Sequence, residues 1–400
     1  MLKGKIIIIA SLVVSIAAIS VFIAAFYRQN LSGAWPIFFS PSGIIEQQAG
    51  EDNSPFTLPP GFKLSVFAKD LAGARALAFD RGGNLWVSRT SQGAISKLAI
   101  KNGKLESQTT VFSGLKNPHG LAFDPAEPDM LYIAEETKIS KVDISQPAPR
   151  LQKVIDLPKG GRHFTRSLQF SPDGRLFVSI GSTCDVCREP DQRHAAIYSL
   201  NKDSSDFRQV AKGLRNTVFF VFNPSDGKIW GADMGRDLLG DDTPPDEINV
   251  IDPYAAAAQN FGWPICYGKN IHDTAFDKNT YIRNPCMEPF ELPSRIDLQA
   301  HSAPLGLAFV PDQSGWPQEF RNNLLVAFQG SWNRSAPTGY KVARLILDSN
   351  GGFVRQEDFI SGWLTPQGAI GRPAGLIFDT AGNLFISNDK AGTIYKASHK

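Results

Sequence analysis

The stretch from Ala76 to Ser88 reads ALAFDRGGNLWVS: an apolar run closed by Phe79, a turn built of Asp, Gly and Asn, then an alternating run. That order describes an antiparallel hairpin. Asp or Pro opens the turn, Gly takes the positive φ, and the flanking β-branched and aromatic residues suit strands. The unit returns as GLAFDPAEPDMLYIA at 120–134, SLQFSPDGRLFVSI at 167–180, VFFVFNPSDGKIWGA at 218–232, GLAFVPDQSGWPQEFRNNLLVA at 306–327 and GLIFDTAGNLFIS at 375–387. Six copies are thus anchored by Phe79, Phe123, Phe170, Phe222, Phe309 and Phe378. Their first three intervals, 44, 47 and 52 residues, match the ~40–50 residues of a four-stranded propeller blade. The later intervals, 87 and 69, carry extra loops. Since the series runs unbroken to the C-terminus, residues 56–400 read as one all-β domain, a six-bladed β-propeller. A ring of sheets leaves no exposed edge once closed, so the last strand, Gly392 to Lys396, is expected to pair with Lys63 to Ala68.

Ahead of the repeats, Ile6 to Phe26 holds no charge, with Lys3 and Lys5 before it and Arg28 after it. At ~1.5 Å per residue this run crosses ~30 Å of hydrocarbon. It exceeds the ~7–15 residues of a secretory apolar region, and the lysines favour a cytoplasmic N-terminus. Residues 1–28 therefore read as a signal anchor, a transmembrane helix. Cleavage near Ala24-Ala25 would make it a signal peptide instead. Residues 29–55, with Pro36, Pro41 and Gly43, lack hydrophobic periodicity and read as a linker. The expected placement is single-pass in the cytoplasmic membrane, with the propeller on the periplasmic or external side. The four cysteines fit export: an even set, Cys184 with Cys187 and Cys266 with Cys286, that an oxidising compartment would join as neighbours in sequence. Arg188 follows the C-x-x-C pair where haem attachment needs His, and no second ligand pair for zinc lies near. Basic residues number 41 and acidic 39, spread along the chain, so no basic field exists to hold nucleic acid.

Chemistry on such a ring belongs to the loops where the inner strands converge. Just ahead of the Phe runs stand Pro118-His119-Gly120, His163-Phe164-Thr165-Arg166, Gly213-Leu214-Arg215-Asn216, His301-Ser302-Ala303-Pro304 and Gly371-Arg372-Pro373. Histidines and arginines at equivalent points of different blades form a convergent cationic set, suited to a ligand with several carboxylates. As an alternative, each bridges neighbouring blades. Asp233, Asp237, Asp241, Asp242, Asp246 and Glu247 crowd a loop punctuated by Gly and Pro. Hard oxygen donors of that kind select Ca²⁺, unless the loop is simply a solvated acidic one.

GLRN at 213–216, DMGRDLLGDDTPPDEIN at 233–249, NFGWP at 260–264, HSAPLGLAF at 301–309 and GSWNRSAPTGYKV at 330–342 resemble signature stretches of the sorbosone dehydrogenase family. That family is related to the soluble glucose dehydrogenases that use pyrroloquinoline quinone (PQQ). The resemblance spans roughly residues 56–398. It implies oxidation of a sugar by hydride transfer to PQQ, with His163 as general base and Arg215 and Asn216 contacting the quinone. His119, Arg166, Arg334 and Arg372 fall to the cofactor-binding set. The carbonyls of Gly235 and Arg236 are implied Ca²⁺ ligands, with Asp246 and Glu247 as nearby carboxylates. Glu247, with Tyr254, could instead serve a second, structural Ca²⁺. Met234, Thr217 and Phe164 depart from the family pattern, and the last leaves open whether His163 or Arg162 faces the cofactor. With no haem motif, electrons must pass to an external acceptor, a cytochrome or a quinone. Two other readings share the fold: a Ca²⁺-dependent sugar lactonase, which needs carboxylates around the axis, and a non-catalytic binding propeller. N-terminal sequencing of the native protein is expected to find the anchor retained; a start beyond Phe26 would mean a soluble exported domain.

Overall fold

Every hairpin unit becomes the two inner strands of a four-stranded antiparallel sheet. A computed structural model describes residues 2–39, 54–289 and 291–399. Its first blade comprises Ala74–Phe79, Leu85–Arg89, Ala94–Lys101 and Lys104–Phe112. The second comprises Leu121–Phe123, Met130–Glu135, Lys138–Asp143 and Gln152–Asp156, and the third Leu168–Phe170, Leu176–Ile180, Ala196–Leu200 and Arg208–Lys212. Thr217–Phe222, Ile229–Asp233, Asp246–Ile251 and Ile296–Leu298 make the fourth, and Pro304–Phe309, Leu324–Phe328, Lys341–Leu347 and Phe353–Ile360 the fifth. Blade six joins Pro373–Phe378, Leu384–Asn388 and Thr393–His399 to the first strand of the chain, Phe62–Ala68. The expected closing pair forms, with Phe62 opposite His399 and Ala68 opposite Ile394.

The turn chemistry works as the sequence implies. Asp80 Oδ1 accepts from the Asn84 N–H at 2.9 Å, and Asp379 does the same for Asn383 at 2.8 Å. Gly382 takes a φ of 80°, which a side chain would resist. The glycine of each GLAF-like run has a different reason. A Cβ on Gly120 would lie 2.6 Å from the Arg166 carbonyl oxygen of the next blade, so the absent side chain lets inner strands converge on the axis. The six anchoring phenylalanines line an apolar cup of about 650 Å³ at the end of the axis where the hairpin turns lie.

The interval of 87 residues between Phe222 and Phe309 is explained by an excursion over 252–295, between the third and fourth strands of blade four. Gln259–Asn260 within it pairs in parallel with Ala211 and Lys212, adding a fifth strand to blade three. Cys266 and Cys286 join in it with Cα atoms 5.6 Å apart, and Cys184 and Cys187 join with theirs at 6.2 Å, both pairs as expected. The N-terminal helix spans Leu2–Asn30; Ser11–Asn30 has a mean hydropathy of 1.9, and Ser11 to Ala25 are exposed. The sequence predicts a linker from residue 29; short helical turns at Ser32–Ala34 and Trp35–Phe38 occupy its start. The portion at 40–53 lies outside the described residues.

Between blades six and five, Phe62 meets Trp316 edge-on at 4.7 Å and Phe359 at 5.1 Å. Phe62→Ala removes a buried ring from the seam that holds the closing strand. It should cost about 3–5 kcal/mol, read as a lower urea midpoint; an unchanged midpoint would mean the seam carries no such load.

Candidate active site

On the opposite face from the cup, the loops between blades enclose a cavity of about 300 Å³. Of the residues in register with the phenylalanines, His163, Arg215, Asn216, His301 and Arg372 line it, and Gly235 and Asp246 of the acidic loop join them. Arg162, Arg75, Trp332 and Asn333 line it too. Arg75 stands four residues before Phe79, as His119 and Arg166 stand four before Phe123 and Phe170. That shared register was the signal available for finding it.

Arg215 is the most constrained group. Its side chain is 4% exposed. Nη2 reaches Asp185 Oδ1 at 2.6 Å and Asp237 Oδ2 at 3.3 Å, Nε donates to the Asp185 carbonyl at 2.9 Å, and Nη1 donates to the Met234 carbonyl at 3.1 Å. Asp233 accepts the backbone N–H of both Arg215 and Asn216, at 2.9 and 2.5 Å. Asp185 sits inside the Cys184–Cys187 loop, so the disulfide fixes the carboxylate that aims the guanidinium.

His163 Nδ1 lies 2.7 Å from Ser182 Oγ, and Ser182 Oγ lies 2.8 Å from the Cys184 carbonyl. A carbonyl can only accept, so the single hydroxyl proton of Ser182 goes to Cys184. Ser182 must then accept from His163 Nδ1–H, which leaves the Nε2 lone pair free. Burial, with the Arg215 and Arg162 charges, lowers the His163 pKa to about 3. His301 is arranged the other way. Its Nε2 faces the carbonyls of Gly240 and Thr243 at 2.9 and 3.1 Å and its Nδ1 faces the Asn333 amide at 3.2 Å, so Nε2 carries the proton. It braces a loop. Both Arg162 and His163 reach the cavity: Arg162 Nη2 binds Asp237 Oδ2 at 2.6 Å and its guanidinium lies 5.9 Å from the Trp332 ring centroid.

The other expected residues lie off the cavity wall. His119 is fully buried, with Nδ1 3.2 Å from Ser167 Oγ and its ring 4.8 Å from Phe219. Burial and Arg75 lower its pKa to about 3. Arg166, also fully buried, donates to the carbonyls of His163, Thr165 and Pro158, holding the histidine loop in place. Arg334 donates to the carbonyls of Asp241 and Ala300, and Arg236 pairs with Asp273 at 2.8 Å. Tyr254 is exposed and donates to Asp173.

The acidic run is divided among separate tasks. Asp246 accepts from Gly235 N–H at 3.0 Å and Ala303 N–H at 2.9 Å. Glu247 accepts from Asn249 at 2.9 Å and from Gly268 N–H. Burial pushes Asp246 up to about 7 and Glu247 up to about 8. Outside the neighbourhoods of the two disulfides, no three His, Cys, Asp or Glu donors converge among the described residues. A cation here would rest on main-chain carbonyls such as those of Gly235 and Arg236, with Asp246 the buried carboxylate beside them.

Residues 56–400 match the model of the TrAA12-like family. An uncharacterised protein of Borreliella burgdorferi is 32% identical over 370 residues, covering 88% of this chain and 93% of that one. The PQQ-dependent sugar dehydrogenase of Hypocrea jecorina is 24% identical over 391 residues, covering 84% of this chain and 87% of its own. Among solved structures, the Trichoderma reesei carbohydrate-active enzyme of family AA12 superposes with a TM-score of 0.73 at 22% identity, over 86% of this chain and 98% of that one. The shared fold is the six-bladed ring.

Asp237 braces two arginines at once, the half-exposed Arg162 and the buried Arg215, which keeps Asp185 when Asp237 is lost. Asp237→Ala should destabilise the protein by about 1–3 kcal/mol at pH 8. Urea unfolding that shows no loss would mean the arginines find other acceptors.

Proposed function

This chain belongs to the TrAA12-like family, and on that premise we propose that it is a PQQ-dependent sugar dehydrogenase that hands its electrons to an external acceptor. The observation that carries the reading is His163: a neutral imidazole whose Nε2 lone pair is left free by the Ser182 hydrogen bond, in a cavity ringed by guanidinium groups.

The cavity suits the cofactor's chemistry. PQQ is a flat quinone with three carboxylates. Arg75, Arg162, Arg215 and Arg372 stand on the wall with only Asp237 and Asp246 as acids. Arg372 donates to the carbonyls of Gln329 and Gly330 at 3.1 and 2.8 Å and pairs with no carboxylate among the described residues. Arg75 has Asp389 at 3.4 Å, but its buried Nε finds no acceptor. An anionic guest would answer both. For Ca²⁺, a buried carboxyl raised to about 7 is one that a hard cation would return to its ionised form. When bound, PQQ supplies the hydride acceptor and Ca²⁺ a Lewis acid that polarises it.

The protein's own residues handle the proton. A sugar hydroxyl placed against His163 Nε2 gives up its proton there, and Ser182 holds the resulting imidazolium in the same orientation. Arg215, fixed by Asp185 and Asp237, supports negative charge developing beside it without moving. The two arginines that depress the His163 pKa would have their field offset by the cofactor's carboxylates. Basicity therefore rises when the site is loaded. A lactonase needs carboxylates free to hold a metal, and here Asp237 is committed to Arg162 and Arg215.

Reconstitution with PQQ and Ca²⁺, followed by dye reduction across a panel of aldoses, ketoses and sorbosone, tests the reading. His163→Ala should keep PQQ bound, by calorimetry, while kcat falls by ~10²–10⁴. Arg215→Ala should weaken PQQ binding as well. Because burial and neighbouring cations hold the His163 pKa below its usual 6.5, the imidazole is unprotonated across the window from 6.5 downward toward that lowered value. In the cofactor-free protein the ring should thus stay neutral at pH 5.5, read from an NMR titration of its ring nitrogens, where an ordinary histidine would be mostly protonated. Failure to bind PQQ with Ca²⁺ supplied would reject the function; full activity in His163→Ala would reject only the base.

A further inference from the structure

The helix that carries Ser11–Asn30 ends in contact with the face that opens the cavity. Asn30 is buried, and its Oδ1 accepts from Gly240 N–H at 3.1 Å. Gly33 N–H donates to the Arg334 carbonyl at 2.8 Å, and Ser32 Oγ donates to the Ser335 carbonyl at 3.0 Å. Lys390 Nζ donates to the carbonyls of Pro36, Ile37 and Phe39 at 2.7, 3.0 and 2.6 Å. Gly240, Arg334 and Lys390 stand in the loops joining the second and third strands of blades four, five and six, at the same end of the sheets as His163 and Arg372. The fit is close. A Cβ on Gly33 would meet the backbone of Arg334, Ala336 and Pro337 at 2.8–2.9 Å.

The helix itself is apolar on every side. Val14, Phe22 and Ile23 are 68, 70 and 60% exposed. A helix hydrophobic all round belongs in lipid or a core, and in this one Ser11 to Ala25 are all exposed. Only Tyr27, Arg28 and Gln29 separate Phe26, the end of the apolar run, from docked Asn30, all within one helix. That leaves roughly 6 Å of helix between the lipid-suited segment and the propeller. The same face exposes Phe38 at 79%, Phe39 at 55% and Leu238 at 39%. Leu238 does so at a φ of 65°, in the left-handed region that a bulky residue rarely adopts.

We propose that residues 30–39 are a rigid mount that holds the cavity-bearing face against the outer surface of the bilayer, with Phe38, Phe39 and Leu238 entering its interfacial layer. The proposal rests on reading Ile6–Phe26 as a retained membrane anchor. A flexible tether would let the ring turn its site to the aqueous side, but this mount fixes it toward the membrane. Reactants then reach the cavity along the bilayer surface, and the apolar cup on the opposite face looks away from it.

The full chain in liposomes containing a nitroxide headgroup lipid tests this. Both cysteine pairs are bonded and no cysteine is free, so a fluorophore on Leu238→Cys or on Ser225→Cys, in a hairpin turn at the far end of the ring, reports one face each. The Leu238 label should be quenched severalfold more than the Ser225 label. Equal quenching, or more at Ser225, would overturn the proposal. Gly33→Leu and, separately, Lys390→Ala should leave the protein in the membrane yet shrink the difference between faces. A difference unchanged in both variants would show that residues 30–39 are not the mount, also overturning it. Mass spectrometry of the membrane-extracted protein separates the two ideas: loss of residues up to Phe26 removes the anchor and the proposal with it, whereas an intact anchor with equal quenching rejects the mount alone.

Discussion

Six separate sheets arranged around one axis form an open arc, with exposed edges, until the two ends of the chain are sewn together. Here the seam is the pairing of Phe62–Ala68 with Thr393–His399, a contact between residues more than three hundred positions apart. Packing consolidates it: Phe62 lies against Trp316, Phe320 and Phe359, and Phe56 against Trp363 and Tyr395. Closure fixes how near the inner strands come to one another, and glycines such as Gly120, Gly306 and Gly375 permit that approach because a Cβ would strike the next blade. The radius so fixed decides which loop residues can meet across the axis.

What meets there is mostly positive charge, and the acidic residues around it serve chiefly as braces. Asp233 holds the backbone of Arg215 and Asn216, Asp185 and Asp237 hold the Arg215 side chain, and Asp246 ties Gly235 to Ala303. Fixing a guanidinium in advance means that no reorganisation is needed when charge develops beside it. Burial, together with the same field, keeps His163 neutral. Thus the groups that would bind an anionic cofactor also lower the basicity of His163, and the carboxylates of such a cofactor would cancel much of the field.

The candidate site occupies one end of the ring. At the other end the hairpin turns of every blade but the fifth are short and braced by their own side chains, as in Asp80 with Asn84 and Ser171 with Arg175. At the site end the connections lengthen, carry one disulfide, and receive the docked N-terminal segment through Gly240, Arg334 and Lys390. The chain's strongest apolar element and its candidate chemistry are therefore neighbours in space, although they lie more than a hundred residues apart in sequence.

Periodicity by itself determined the blade count, the closing pair and the single ring, because strand alternation and turn chemistry are local and repeat wherever the backbone does the same thing. Local spacing likewise paired the cysteines, and the charge-free run at Ile6–Phe26 marked the helix. Register with the anchoring phenylalanines singled out His163, Arg215, Asn216 and Arg372. Only the tertiary structure decided their tasks. Ser182, which sets the tautomer of His163, and Asp185, which aims Arg215, belong to no repeat; they act across a loop whose path the disulfide helps to fix. His119 and Arg166 share the register yet lie off the cavity wall, and the crowded carboxylates from Asp233 to Glu247 point to different partners. A sequence records which groups are present, but an ion pair or a proton's position depends on distances of a few ångströms between blades, and those exist only once the ring is closed.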